Sequence, residues 1–331
     1  MSSSSSSASP SEFDLIRRHF SRPTRHTTLA GGDDAALLSV RPGMELVVST
    51  DMLVSGTHFF ADTEPTDLGW KTLAVNVSDL AAMGACPRWA LLALALPAVD
   101  EDWLAAFAEG LFACAKAFDI DLVGGDTTRG PLNLAVTLIG EVAHGSAITR
   151  AGARAGDELW VSGQPGRAAL GLAQLRGTLQ LAAPEDFIAA LQRPQPRLAL
   201  GQKLRGLASA MLDVSDGLLG DLAHLLERST VGAIIEQDAL PLHPLCAAGV
   251  DELTARASLL GGGDDFELLF TAPASQRAAI TALSSELGLP LHRIGQITAQ
   301  PGQLQLRERS GQVQALAASG YDHFRPAGDH V

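Results

Sequence analysis

Oxygen-bearing side chains crowd one stretch of the chain, Met211-Leu212-Asp213-Val214-Ser215-Asp216-Gly217-Leu218-Leu219. Two carboxylates and a hydroxyl stand between an apolar approach and a periodic run. In that run Leu218, Leu219, Leu222, Leu225 and Leu226 mark one buried helical face. Ser215 suits the N-cap of such a helix, which would leave backbone N–H groups at that end facing outward. A helix N-terminus attracts anions, and carboxylates beside it can carry a metal ion to a phosphate. Asp213 and Asp216 would serve equally as plain helix caps, so the stretch acquires chemical meaning only if the theme recurs.

It recurs along the chain. Gly31-Gly32-Asp33-Asp34 is a glycine turn carrying two acids, and alone it reads as an ordinary Gly-Asp turn. A strand over 46–51 ends in Ser49, Thr50 and Asp51, and its period of two puts Ser49 and Asp51 on one face and Thr50 on the other. Hard cations bind oxygen sets of this kind. The spacing predicts a helix over 67–83 with Trp70, Leu73, Ala74, Val77 and Leu80 as its buried stripe. Asn76 and Asp79 share another face of it, and a carboxylate among apolar and small residues is costly to bury unless paired or metal-bound. A strand over 120–123 opens onto Gly124-Gly125-Asp126-Thr127-Thr128-Arg129-Gly130, which suits either a ligand crevice at a strand's end or a polar turn. Near the end, Gly261-Gly262-Gly263-Asp264-Asp265-Phe266-Glu267 feeds another strand. His58, in a loop sequence, and Arg150, in a Gly- and Ala-rich junction over 149–157, are weaker by themselves. A lone histidine is more often structural, and Arg150 reads as a phosphate clamp or as a solvated linker charge.

The elements that must position these groups follow from composition. A length of 331 residues makes two compact α/β units the default, and 46% hydrophobic residues suffice for their cores. A formal charge of −13 disfavours a nucleic-acid surface, which needs a basic stripe. An acidic protein can still bind phosphates when metal ions stand between the negative charges. Cys86, Cys114 and Cys246 form no C-x-x-C pair, so a reducing cytoplasm fits. The expected domains are a disordered Ser-rich tail over 1–11 that is not a signal peptide, an N-terminal domain over 12–148, a C-terminal α/β domain over 149–326, and a tail over 327–331. The longest apolar run, over 89–99, is about half what a membrane helix needs, so a soluble protein with no membrane partner is expected.

The chain holds no Walker A motif, protein-kinase glycine-loop set or H-E-x-x-H. Phosphoryl transfer does not require them; it requires positioning and positive charge around the migrating group. Here that charge would be Mg²⁺ held by Asp33 or Asp34, Asp51, Asp79, Asp126, Asp213 and Asp216. So many acids would repel one another without several divalent ions.

Taken together, Gly32-Asp33-Asp34, Ser49-Thr50-Asp51, Asn76-Val77-Ser78-Asp79-Leu80-Ala81-Ala82-Met83-Gly84, Gly124-Gly125-Asp126-Thr127, Asp213-Val214-Ser215-Asp216-Gly217 and Gly262-Gly263-Asp264-Asp265-Phe266-Glu267-Leu268 resemble, in order, the motif series of the thiamine-monophosphate kinase family. The resemblance covers about residues 12–324. It implies an α/β (α+β type) two-domain fold like that of aminoimidazole ribonucleotide synthetase, with N-terminal domains pairing in a homodimer and ATP bound between the two domains. It implies Mg²⁺ ligands at Asp34, Ser49, Thr50, Asp51, Asp79, Asp126 and Asp213, with Asp216 holding a further ion. Gly125, Asp126, Arg150 and Ser215 would contact ATP; His58, Asp264 and Tyr321 would face thiamine monophosphate. A monovalent cation is a further candidate. The family usually has Glu where Asp264 stands, a longer reach for the same charge, and often an aromatic ring where this chain has Ala318-Ser319-Gly320 before Tyr321. The implied reaction is ATP-dependent phosphorylation of thiamine monophosphate to the diphosphate, the last step in making that cofactor. The transfer would be a direct in-line attack without a covalent nucleophile.

Relatives with the same fold make rival readings. Selenophosphate synthetase would need a reactive Cys or selenocysteine near the N-terminus, and no Cys precedes Cys86. The hydrogenase-maturation member would need a C-terminal Cys, and this sequence ends Asp329-His330-Val331. Aminoimidazole ribonucleotide synthetase itself is the alternative enzyme, and a non-catalytic nucleotide-binding module the alternative of another class.

Overall fold

The computed structural model describes residues 11–317. The chain divides into two compact units, and it crosses between them several times. Among the described residues, the first contains 11–41, 48–76 and 87–139; the second contains 42–47, 77–86 and 140–317.

A four-stranded sheet, with two long helices, makes up most of the first unit, although residues 44–47, 77–82, 86 and 140–143 of these elements belong to the second. Its strands are β3 (Met44–Val54), β4 (Cys86–Leu96), β5 (Asp121–Arg129) and β6 (Asn133–Ala143), in the spatial order β3-β6-β4-β5. A small ribbon of β1 (Thr27–Leu29) and β2 (Leu37–Leu38) precedes them. The Pro65–Ala82 helix forms where the stripe predicts it, with Trp70, Leu73, Ala74, Val77 and Leu80 all buried. Asp100 caps the Glu101–Ala117 helix by accepting from the Trp103 N–H at 3.0 Å. Leu68, Leu73, Phe107, Leu111, Trp89 and Leu138 are nearly inaccessible, and each large apolar side chain so buried stabilises the fold by about 1.5–3 kcal/mol.

The second unit carries a seven-stranded sheet. Its strands are β7 (Glu158–Ser162), β8 (Ala210–Val214), β9 (Gly232–Glu236), β10 (Glu267–Ala272), β11 (Leu291–Thr298), β12 (Leu304–Arg307) and β13 (Val313–Ala315), in the order β13-β12-β9-β11-β7-β10-β8. Most pairs are antiparallel; β12 runs parallel to β9. Both faces of the sheet are buried, as the alternation in β10 records. Leu269 joins one core with Leu212, Leu222 and Leu259, while Leu268 and Phe270 join another with Trp160, Leu200 and Ile280. A sheet covered on both faces reads as continuous apolar sequence, which is how Glu267-Leu268-Leu269-Phe270 begins a strand.

Two expectations need correction. The segment 124–129 is no turn: β5 runs straight through it and pairs in parallel with β4, Ala93 opposite Asp126. The glycines serve close approach. Gly125 has φ +149°, and a Cβ there would lie 1.8 Å from the Leu92 carbonyl oxygen, so no other residue fits. Nor is Ser215 the cap of the Leu218–Ser229 helix. Gly217 occupies the N-cap and makes no side-chain cap bond.

Candidate functional site

Four of the predicted groups come together in the second unit. Strands β8 and β10 pair so that Leu268 lies opposite Asp213 and Glu267 opposite Val214. The turn after β8, holding Ser215 and Asp216, therefore meets the loop over 262–266 that holds Asp264. Two backbone bonds join them: Asp264 N–H donates to the Ser215 carbonyl at 2.8 Å and Phe266 N–H to the Val214 carbonyl at 2.8 Å. Asp213 is buried; Ser215, Asp216 and Asp264 are partly exposed.

Three further carboxylates hold this arrangement from behind, and reading for metal ligands missed their role. Asp221, on the helix, accepts from the Ser215 N–H at 3.0 Å and the Asp216 N–H at 3.1 Å. Asp221 lies in the helix's first turn and reaches back to these two donors, which precede the helix. Burial, then the charge of Asp216, pushes the Asp221 pKa up to about 7, against both N–H bonds and the charge of Arg150. Asp265 accepts from Gly166 N–H at 2.5 Å and Ala168 N–H at 3.1 Å, capping the Arg167–Leu175 helix from a distant part of the chain. The residue keeps part of its surface, yet enough protein crowds its carboxyl for burial to push the pKa up to about 8. Glu267 is 3% exposed and is gripped by both prongs of Arg197, Nε and Nη2, at 2.6 Å each. It also accepts from Ser162 Oγ at 2.6 Å and Gln164 N–H at 3.2 Å. Removing one partner of such a buried pair costs about 3–5 kcal/mol. A signal was present in the sequence: Asp221 interrupts a leucine-rich buried face, and a carboxylate there must have partners.

Asp264 and Phe266 adopt left-handed backbone, φ +65° and +50°. Non-glycine residues in that region store about 1–3 kcal/mol each and persist only where surroundings over-determine them. Strain of that kind gathers at binding loops, which singles out Asp264.

Other predicted groups lie on their own elements. Arg150 is exposed; its carbonyl accepts from Ser229 Oγ at 3.0 Å, and its charge reaches Asp221. Asp79 is partly buried on the Pro65–Ala82 helix. In the first unit Ser49 and Asp51 are partly buried and Thr50 exposed, the expected alternation. The Asp51 N–H donates to the Asn76 side-chain oxygen at 3.1 Å, so buried Asn76 fixes the strand. Thr50 Oγ1 bonds the Val136 carbonyl at 3.1 Å and Thr137 Oγ1 at 3.0 Å. Asp126 and Gly125 are exposed on β5, and Asp34 is exposed in the turn after Gly31, whose Cβ would stand 3.7 Å from the Val123 carbonyl oxygen. That places the Asp33-Asp34 turn beside β5. His58 accepts at Nδ1 from the Val54 N–H at 3.0 Å, which puts the proton of the neutral ring on Nε2 and makes that atom a donor. Tyr321 lies outside the described residues. Among the described residues no three His, Cys, Asp or Glu side chains gather closely enough to hold an ion by themselves. Nor is any described helix long and apolar enough to cross a membrane.

Comparison with known proteins agrees with this geometry. The chain matches the families described as AIR synthase related protein, N-terminal domain, over residues 32–142, and AIR synthase related protein, C-terminal domain, over residues 154–306. It is 46% identical over 319 residues to the thiamine-monophosphate kinase of Salmonella typhimurium, covering 95% of this chain and 98% of that one. The crystal structure of thiamine-monophosphate kinase from Stenotrophomonas maltophilia superposes with a TM-score of 0.79 at 49% identity, covering 87% of this chain and 92% of that one. A structure described as AaThiL complexed with AMPPCP and TMP superposes with a TM-score of 0.74 at 28% identity, covering 94% and 96%.

Proposed function

The chain belongs to the thiamine-monophosphate kinase family, and from that premise we propose that it phosphorylates thiamine monophosphate to thiamine diphosphate with ATP. The observation that carries the reading is the family relation over 95% of the chain, joined to a relative that binds both an ATP analogue and the monophosphate.

The acceptor phosphate is already anionic near neutral pH, so the reaction needs no general base. It needs alignment and relief of charge. An oxygen-only donor set, Asp34, Ser49, Thr50, Asp51, Asp79, Asp126 and Asp213 with Asp216, suits hard Mg²⁺ ions. Asp216 and Asp221 stand close together at the Ser215-Asp216 turn, where the Asp221 carboxylate accepts from the Asp216 N–H. Bound there, Mg²⁺ would neutralise the phosphate oxygens and polarise the γ-phosphoryl group. Arg150, Ser215, Gly125 and Asp126 would hold ATP. His58 would donate from Nε2, and Asp264 would face the thiamine monophosphate. The donor orientation at His58 follows from its bond to Val54 N–H.

The chain is further proposed to act as a cytoplasmic homodimer. Leu46, Val48 and Met52 stand on one face of edge strand β3 and are 50%, 59% and 55% exposed, an apolar row that a second copy would cover. Incubation with ATP, Mg²⁺ and thiamine monophosphate, followed by chromatography, should yield thiamine diphosphate and ADP in equal amounts. Failure to form the diphosphate ends the proposal. Inversion at a chiral γ-phosphorus supports direct transfer; retention indicates a phosphoenzyme.

A further inference from the structure

Along the loop that carries Asp264, alternate side chains do different work. Asp265 and Glu267 both reach back to one short segment, 162–168: Asp265 takes the N–H groups of Gly166 and Ala168, while Glu267 takes Ser162 Oγ and Gln164 N–H. The fit there is close. Gly163 has φ +62°, and a Cβ on it would lie 1.8 Å from Glu267 Oε1. Arg197 completes the grip on Glu267 with two parallel bonds. On the other side, the N–H groups of Asp264 and Phe266 donate to Ser215 and Val214. Four anchors thus surround the two left-handed residues.

We propose that Asp265 and Glu267, the latter through Arg197, are positioning residues for the acceptor substrate, fixing the backbone that presents Asp264. The proposal rests on the reading of Asp264 as a thiamine-monophosphate contact. Neither carboxylate touches a reactant; each acts through the loop. A purely structural staple would make a different prediction, because its loss would lower stability without distinguishing the two substrates.

Steady-state kinetics of the full chain with both substrates varied separates these accounts. Glu267→Gln keeps an acceptor but loses the ionic fork, and it should raise the KM for thiamine monophosphate by about tenfold while the KM for ATP stays within about twofold. Arg197→Lys keeps the charge without the fork and should give a smaller shift of the same kind. It also carries the test should Glu267→Gln fail to fold. Unchanged KM values with a lowered melting temperature, or equal rises for both substrates, overturn the proposal. Asp264→Ala tests the underlying reading separately. If it leaves the KM for thiamine monophosphate unchanged, that reading falls and the proposal with it. If it raises that KM while Glu267→Gln and Arg197→Lys do not, only the positioning role falls.

Discussion

Acids in the two units are presented in different ways. In the first, Asp51 and Asp126 ride on β3 and β5, and the sheet itself sets their position: Asp126 lies opposite Ala93 in a parallel ladder, past a register shift between Ala90 and Leu91. In the second, Asp216 and Asp264 sit on irregular backbone, and three other carboxylates, Asp221, Asp265 and Glu267, hold that backbone by accepting its N–H groups or those of the segment it packs on. A strand needs no helper because its hydrogen bonds are paid by its neighbours. A loop must find partners for every buried polar group, and here acidic side chains supply them. One acid-rich composition therefore covers two jobs, and the position of an acid on a strand or on a loop separates them.

The contrast can be tested at both ends. The largest effect is expected where an acid serves the reaction itself. Asp213→Asn and Asp79→Asn should each lower turnover by about a hundredfold or more with circular dichroism unchanged, in line with loss of a major electrostatic contribution. Near-normal turnover in both would remove these residues from the metal set. Next comes the strand-borne presentation. Gly125→Ala forces a Cβ against the Leu92 carbonyl and should cost about 3 kcal/mol in urea unfolding, whereas Gly177→Ala, with φ +69° and open space around it, should cost about 1 kcal/mol.

For the loop, pH is the probe. The Asp265 carboxyl is raised from 3.8 to about 8, so the folded state favours its protonated form. Its contribution to stability is full below about pH 4 and is lost as pH rises towards 8. Asp265→Asn, which cannot titrate and keeps one amide oxygen to accept from either Gly166 or Ala168, should flatten the stability–pH curve across that window. An unaltered curve would show that Asp265 does not titrate there. The smallest effect belongs to Ser215→Ala. Because Ser215 caps no helix, its loss should change stability by no more than about 0.5 kcal/mol, against about 1 kcal/mol for a true N-cap.

Period carried most of the fold into the sequence. The leucines at 218, 219, 222, 225 and 226 are buried as spaced, and the helix over 67–83 is found as Pro65–Ala82. What misled was local chemistry with more than one structural solution. Gly124-Gly125 reads as the end of a strand, opening onto a crevice or a turn, because glycine usually breaks strands, yet here it admits the Leu92 backbone within a continuous strand. Ser215 reads as a cap because serine is a good one, but the helix starts only after Gly217, and Asp221 in its first turn reaches back to the N–H groups of Ser215 and Asp216. The meeting of Asp213, Ser215 and Asp216 with Asp264 depends on β8 pairing with β10 across more than fifty positions, and spacing alone does not specify that. The supporting roles of Asp265 and Glu267 were invisible for the same reason: their partners lie about a hundred residues away.

Counting bound ions tests the central claim, that scattered acids hold magnesium between an acidic protein and two acidic reactants. Equilibrium dialysis with Mg²⁺ and a non-hydrolysable ATP analogue should find several ions per chain in the native protein and fewer in Asp213→Asn. Equal binding in the two proteins, or no binding above that of the nucleotide alone, would contradict it.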